Sequence, residues 1–177
     1  MCSTCIESPP PFIRHRSVCR YRGVARELIL LYKYRKLRAL GPDLARFLYA
    51  GLKEDTGLWW GADALIPVPL HSRRQKQRGF NQADLLAREL STLTGISMLS
   101  GRLRKHRDAL PQTSLTGESR RGNLMGAYFV KGRQDLSDKV VILVDDVFTT
   151  GSTLQECSRT LLEAGVREVR AVSIAQA

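Results

Sequence analysis

Apolar and polar positions recur along the chain with two different periods, and the switches between them mark out the elements. Residues 27–37, ELILLYKYRKL, are apolar densely enough for a helix, which Gly41-Pro42 is expected to end. A second helix is expected over 43–53, with Leu44, Phe47, Leu48 and Leu52 on one face. Residues 63–70, DALIPVPL, read as a buried strand that breaks at its prolines, and the polar stretch 73–79 reads as a loop. From 81 to 93 leucine recurs at 85, 86, 90 and 93, and Gly95 supplies the stop. A short strand at 127–130 precedes the clearest strand of all, 140–144. A helix from Ser152 to Gly165 and a strand over 168–174 complete the pattern. Strands separated by helices predict an α/β fold, a mostly parallel sheet flanked by helices.

The stretch from Gly101 to Gly122 is the long segment without apolar periodicity. It holds Arg102, Arg104, Lys105, His106, Arg107, Arg120 and Arg121, and loops of this length carry function or move.

With 177 residues, 43% of them hydrophobic, the chain can bury one ordinary core. Its 28 Lys and Arg against 17 Asp and Glu leave a charge of +11, which points to anionic partners such as phosphorylated metabolites or nucleic acid. No apolar run approaches the ~18 residues of a membrane span, and residues 1–20 lack the apolar centre of a secretory signal, so a cytoplasmic location is expected. The four cysteines do not make a disulfide framework. Cys157 shares a helical face with Leu154 and Leu161, as a small core residue does. Cys2 and Cys5, in C-S-T-C, have the spacing of half a zinc site, whereas His15 and Cys19 stand at separations that suit no zinc pattern. The pair reads as a half-site without its other half.

The stretch VVILVDDVFTTGST, residues 140–153, carries the candidate chemistry. In a parallel sheet, ligands collect beyond the carboxyl ends of the strands, where Asp145 and Asp146 are expected to face the crevice. Thr149, Thr150, Gly151, Ser152 and Thr153 set short hydroxyls and a glycine immediately before a helix, the makings of a phosphate cradle. Carboxylates would repel that phosphate unless they serve another part of the ligand, and vicinal sugar hydroxyls are their natural partners. A ribose 5-phosphate therefore fits the run better than an inorganic anion. The G-x-x-x-x-G-K-[ST] pattern of a Walker loop is absent.

ILVDDVFTTGSTL resembles the fingerprint of type I phosphoribosyltransferases, and IPVPLHSRRQKQRGFNQADLLA with QTSLTGESRRGNLMGAYFV is similar to the ComF family, associated with DNA uptake in competent bacteria. The resemblance implies that Asp145 and Asp146 hold the ribose hydroxyls of 5-phosphoribosyl 1-pyrophosphate, usually with Mg²⁺, and that residues 149–153 hold its 5-phosphate. It places a pyrophosphate loop near Leu70 and His71, helped by Arg73, Arg74 and Arg78, with Asn81 at the same end. The basic loop 102–121 corresponds to the family's flexible loop, matched at Gln112, Arg120 and Asn123. ComF relatives commonly begin with a longer cysteine-rich zinc module; residues 1–20 are expected to be its remnant, through loss or through the start of the sequence, and 21–177 the phosphoribosyltransferase-like domain.

Two functions follow. One is a phosphoribosyl pyrophosphate-binding protein of natural transformation that touches single-stranded DNA through Arg102, Arg104, Lys105 and Arg107 and meets transformation proteins. The other is a salvage-type phosphoribosyltransferase, although no sequence feature identifies an acceptor base.

Overall fold

A computed structural model of the protein describes residues 9–34, 37–105 and 126–177. Its centre is a five-stranded parallel sheet in the order β1-β7-β6-β2-β3. The strands are β1 (Arg14–Arg20), β2 (Ala64–Pro67), β3 (Ser97–Met98), β6 (Val140–Phe148) and β7 (Glu168–Gln176). β4 (Leu103–Lys105) and β5 (Tyr128–Val130) form a separate antiparallel pair.

Alternation along β6 explains the layering. Val141 and Leu143 face a cluster built with Leu154, Cys157 and Leu161 of the helix after β6, α6 (Ser152–Glu163), which confirms Cys157 as a core residue. Ile142 and Val144 face the opposite cluster. That side is covered by α1 (Gly23–Tyr34), α2 (Leu40–Leu52), α3 (Thr56–Trp59) and α5 (Gln82–Thr94), through Ile29, Leu48, Leu58 and Leu86. Burial on both faces accounts for the continuous apolar run VVILV.

Several expectations are corrected. Gly41-Pro42 does not end a helix but lies in the first turn of α2, where the N–H that proline lacks has no partner to lose. A Cβ on Gly41 would stand 3.3 Å from the Tyr32 hydroxyl, so glycine lets α2 approach α1 closely. Phe47 falls outside the buried face of α2 and is 48% exposed. Residues 14–20, grouped by sequence with the cysteine segment, are the edge strand β1, paired with β7 from Arg14–Arg170 to Arg20–Gln176. The polar stretch 73–79 is mostly helix, α4 (Ser72–Arg78), capped by the His71 ring and closed by Gly79 at φ +79°. It buries no residue, so no apolar period could disclose it. Among the described residues no helix is long and apolar enough to cross a membrane.

Candidate functional site

β6 does not stop before the acid pair. It continues through Asp145 and Val147, in register with Ser173 and Ala175 of β7, to Phe148. Successive side chains on a strand point to opposite faces. Asp145 therefore stands on the side of α6 and β5, and Asp146 on the side of α1. Both carboxylates line one cleft of ≈ 340 Å³ at the carboxyl end of the sheet.

The two acids differ in surroundings. Asp146 is buried and pairs with Lys33 at the end of α1, Nζ to Oδ1 2.7 Å. Burial, and then the Asp146 charge, push the Asp145 carboxyl up to about 7, against the opposing pull of Lys33 and Arg78. Asp145 Oδ1 also accepts the N–H of Asp146, 2.8 Å. The acids are thus set into the structure rather than left at a solvated strand end.

The turn after β6 is built as a cradle. Gly151 caps α6 at φ +76°, a left-handed conformation that suits glycine. Thr150 and Ser152 hydroxyls lie 2.9 Å apart, with Thr149 and Thr150 exposed. Thr149 and Thr153 line the cleft. Burial holds the hydroxyl of Tyr128, in β5, well above the usual tyrosine range, and the Thr153 side chain opposes that push. The Thr149 and Thr153 hydroxyls, flanking the positive end of a 12-residue helix, thus line one volume with the acids, whereas Thr150, Gly151 and Ser152 do not line it.

Leu70, His71, Arg74 and Arg78 line the same cleft from the α4 side. Arg73 lies on the exposed outer face of α4, and its N–H caps on His71 Nδ1. Arg78 donates to Gln82 Oε1, 3.1 Å, and Asn81 anchors the turn by donating to the Val68 carbonyl, 3.0 Å. A second compartment of ≈ 470 Å³ adjoins the first, sharing Leu70, Asn81 and Lys105.

Three of the four cations expected to meet DNA lie among the described residues. Arg102 pairs with Asp135, Arg104 is exposed and bonds the Gly101 carbonyl, and Lys105 lines the cleft over the Tyr128 ring. Residues 103–105 are strand rather than loop, because they pair with residues 128–130. Arg107, Gln112, Arg120, Asn123, Cys2 and Cys5 lie outside the described residues. His15 and Cys19 are both built into β1: His15 Nε2 lies 3.0 Å from Ser173 Oγ, and Cys19 donates to the Ile174 carbonyl.

Sequence reasoning missed Lys33, Tyr128 and Gln82. Tyr128 stood within the recognised strand 127–130, but its role depends on a pairing with β4. Lys33 lies within an apolar helical pattern that says nothing of which loop the helix end meets.

The parallel sheet, the acid-bearing strand and the hydroxyl-glycine turn define a type I phosphoribosyltransferase fold. The phosphoribosyl transferase domain family matches residues 45–177. Competence protein F of Haemophilus influenzae is 34% identical over 179 residues, covering 99% of this chain and 78% of that protein. DNA utilization protein YhgH of Salmonella typhimurium is 33% identical, with 96% and 74% covered. Competence protein ComFC of Streptococcus pneumoniae is 26% identical, with 92% and 68% covered. The chain belongs to the ComF family of phosphoribosyltransferase-domain proteins. Among solved structures, the glutamine phosphoribosylpyrophosphate amidotransferase of B. subtilis superposes with a TM-score of 0.51 at 22% identity, covering 89% of this chain and 31% of that one, a likeness of fold.

Proposed function

We propose that the cleft binds 5-phosphoribosyl 1-pyrophosphate and that the protein acts in DNA uptake. The observation that carries the reading is convergence: two acids, Thr149 and Thr153 of the turn at the start of α6, and the cation-lined end of α4 all line one cleft. The turn 149–153 takes the 5-phosphate, Asp145 and Asp146 take the ribose hydroxyls, and Arg74 and Arg78 meet the diphosphate. Lys105, from β4, adds a cation over the ligand.

Mg²⁺ fits this cleft as part of the ligand. Among the described residues no group of three or more His, Cys, Asp and Glu gathers around an ion, while a diphosphate supplies the hard oxygen donors that Mg²⁺ prefers. The acid pair would meet such an ion through the sugar hydroxyls, and the ion would neutralise charge on the diphosphate.

The role in DNA uptake rests on the names of the relatives, competence protein F and DNA utilization protein, together with the +11 charge. Single-stranded DNA is the expected partner, met by Arg104 and neighbouring cations and held through its phosphates. Transformation proteins are proposed partners on the same grounds.

The second reading, transfer of the phosphoribosyl group to an acceptor, is favoured by the adjoining ≈ 470 Å³ compartment. Phe80, Leu85 and Leu103 give it apolar wall, and Arg38 and Asp84 give it polar groups beside the place proposed for the diphosphate. Titration with phosphoribosyl pyrophosphate and Mg²⁺, followed by a screen of acceptors for pyrophosphate release, tests both readings. Binding without release under any acceptor supports a sensing role; release with a free nucleobase supports the salvage enzyme.

A further inference from the structure

Of the last three residues of α1, Lys33 lines the cleft, and Tyr32 and Tyr34 each touch a residue that does. Tyr32 is fully buried and donates its hydroxyl to the Gln82 carbonyl at the start of α5, 3.0 Å. The Tyr34 ring lies 5.3 Å from the Arg78 guanidinium. Between them Lys33 grips Asp146 at 2.7 Å, with 17% of the lysine side chain and 10% of the aspartate side chain exposed. Pinned neighbours on both sides hold the lysine to this one position. α1 lies outside residues 45–177, so the cation comes from beyond the matched domain.

A pair placed here has a consequence that a surface pair lacks. Two adjacent carboxylates resist being ionised together, and the ammonium decides which of them carries the charge. The pairing selects Asp146, which agrees with the upward push on Asp145. An ionised carboxylate only accepts hydrogen bonds. With Oδ1 engaged by Lys33, Oδ2 is the atom that meets a ligand hydroxyl. The sides of β6 then sort the sugar. Asp145 stands toward α6 and the turn proposed for the phosphate, and Asp146 toward the end of α1, where Tyr34 meets Arg78, so Asp146 is assigned the hydroxyl nearer the anomeric, diphosphate-bearing end. Gln82 adds a second pointer: its Nε2 is buried without a partner, and the residue lines the cleft. That donor awaits a ligand oxygen.

We propose that Lys33 is a sugar-selecting positioning residue: by gripping one oxygen of Asp146 it fixes the other as acceptor for the ribose 2-hydroxyl, so that the cleft takes ribose 5-phosphate and rejects 2-deoxyribose 5-phosphate. The inference rests on the phosphoribosyl reading above.

The test is calorimetric titration of the full chain with each sugar phosphate, without divalent metal, for wild type, Lys33→Met and Lys33→Arg. Wild type should prefer ribose 5-phosphate by at least about tenfold, the weight of one hydrogen bond to a charged acceptor. Lys33→Met should bring the preference below about threefold while leaving 2-deoxyribose 5-phosphate affinity nearly intact, and Lys33→Arg, whose planar fork can engage both Asp146 oxygens, should lower the preference as well. A helix-packing role alone would weaken both sugars equally and overturn the proposal. So would an unchanged preference in Lys33→Met. If wild type binds both sugars alike, the selection fails and the phosphoribosyl reading stands; if it binds neither, both fail. Should Lys33→Met not fold, the Lys33→Met/Asp146→Asn double variant removes the unpaired carboxylate as well, and a retained preference there also refutes the role.

Discussion

The imidazole of His15 lies against the ring of Phe148, with centroids 4.1 Å apart and planes 22° from parallel. Phe148 in turn sits beneath the turn 149–153: a Cβ on Gly151 would come 2.8 Å from its Cζ. The edge strand β1 thereby braces the turn through one aromatic ring. Gly151→Ala meets both the ring and a left-handed φ, and should lower stability by about 1–3 kcal/mol and weaken ribose 5-phosphate binding. Thermal unfolding and titration check it; an alanine variant matching wild type in both would show that the turn tolerates a side chain.

His15 gives this brace a pH dependence. Burial, and then the Arg16 charge, lower its pKa from 6.5 to about 4, so the folded protein holds the ring neutral. A depressed histidine contributes stability that is full above pH 6.5 and lost as pH falls toward 4. His15→Gln should flatten the stability profile across that window, as read by denaturant unfolding at several pH values. An equally steep fall in the variant would assign the acid sensitivity elsewhere.

Asp145 has the opposite sign. Its folded carboxyl is raised from 3.8 to about 7, so its contribution is full below pH 3.8 and lost as pH rises through 7. At pH 8 the folded state carries a half-buried charge beside Asp146. Asp145→Asn should therefore be more stable than wild type at pH 8, by about 1 kcal/mol or more, with the gain shrinking at pH 5. The same variant should lose ligand affinity. A variant less stable than wild type at pH 8 would mean that the ionised carboxylate is favourably held.

The cations of β4 separate the two proposed ligands. Arg104 is exposed and does not line the ≈ 340 Å³ cleft, whereas Lys105 does. Arg104→Ala should weaken single-stranded DNA binding, lower its salt slope by about 0.7 and spare phosphoribosyl pyrophosphate. Lys105→Ala should weaken both. Fluorescence anisotropy across a salt series reads the first effect and calorimetry the second; equal losses of both ligands in the two variants would merge the surfaces.

The parts of the site that lie together in the chain were legible in it. Residues 140–153 name the strand, the acids and the turn in one run, because strand, crevice and helix start follow without a break. Parts assembled by packing were not. β1, RHRSVCR, has no apolar alternation because most of its residues are only half-buried at the sheet edge. α4 buries nothing, and its helix is set by the His71 cap and Gly79. The depth of the acid pair was also hidden, since β6 runs on past Asp146 only because β7 extends beside it to Gln176. Lys33 reaches Asp146 across the fold, through a docking fixed by Tyr32 and Gln82.

The measurement that bears most directly on the account is titration of the full chain with 5-phosphoribosyl 1-pyrophosphate and Mg²⁺, in wild type and in Asp145→Asn/Asp146→Asn. Saturable one-to-one binding in wild type is predicted, with at least about a hundredfold loss in the folded double variant, as two hydrogen bonds to carboxylates would give. Equal affinity in the two proteins, or no binding by wild type, would contradict it.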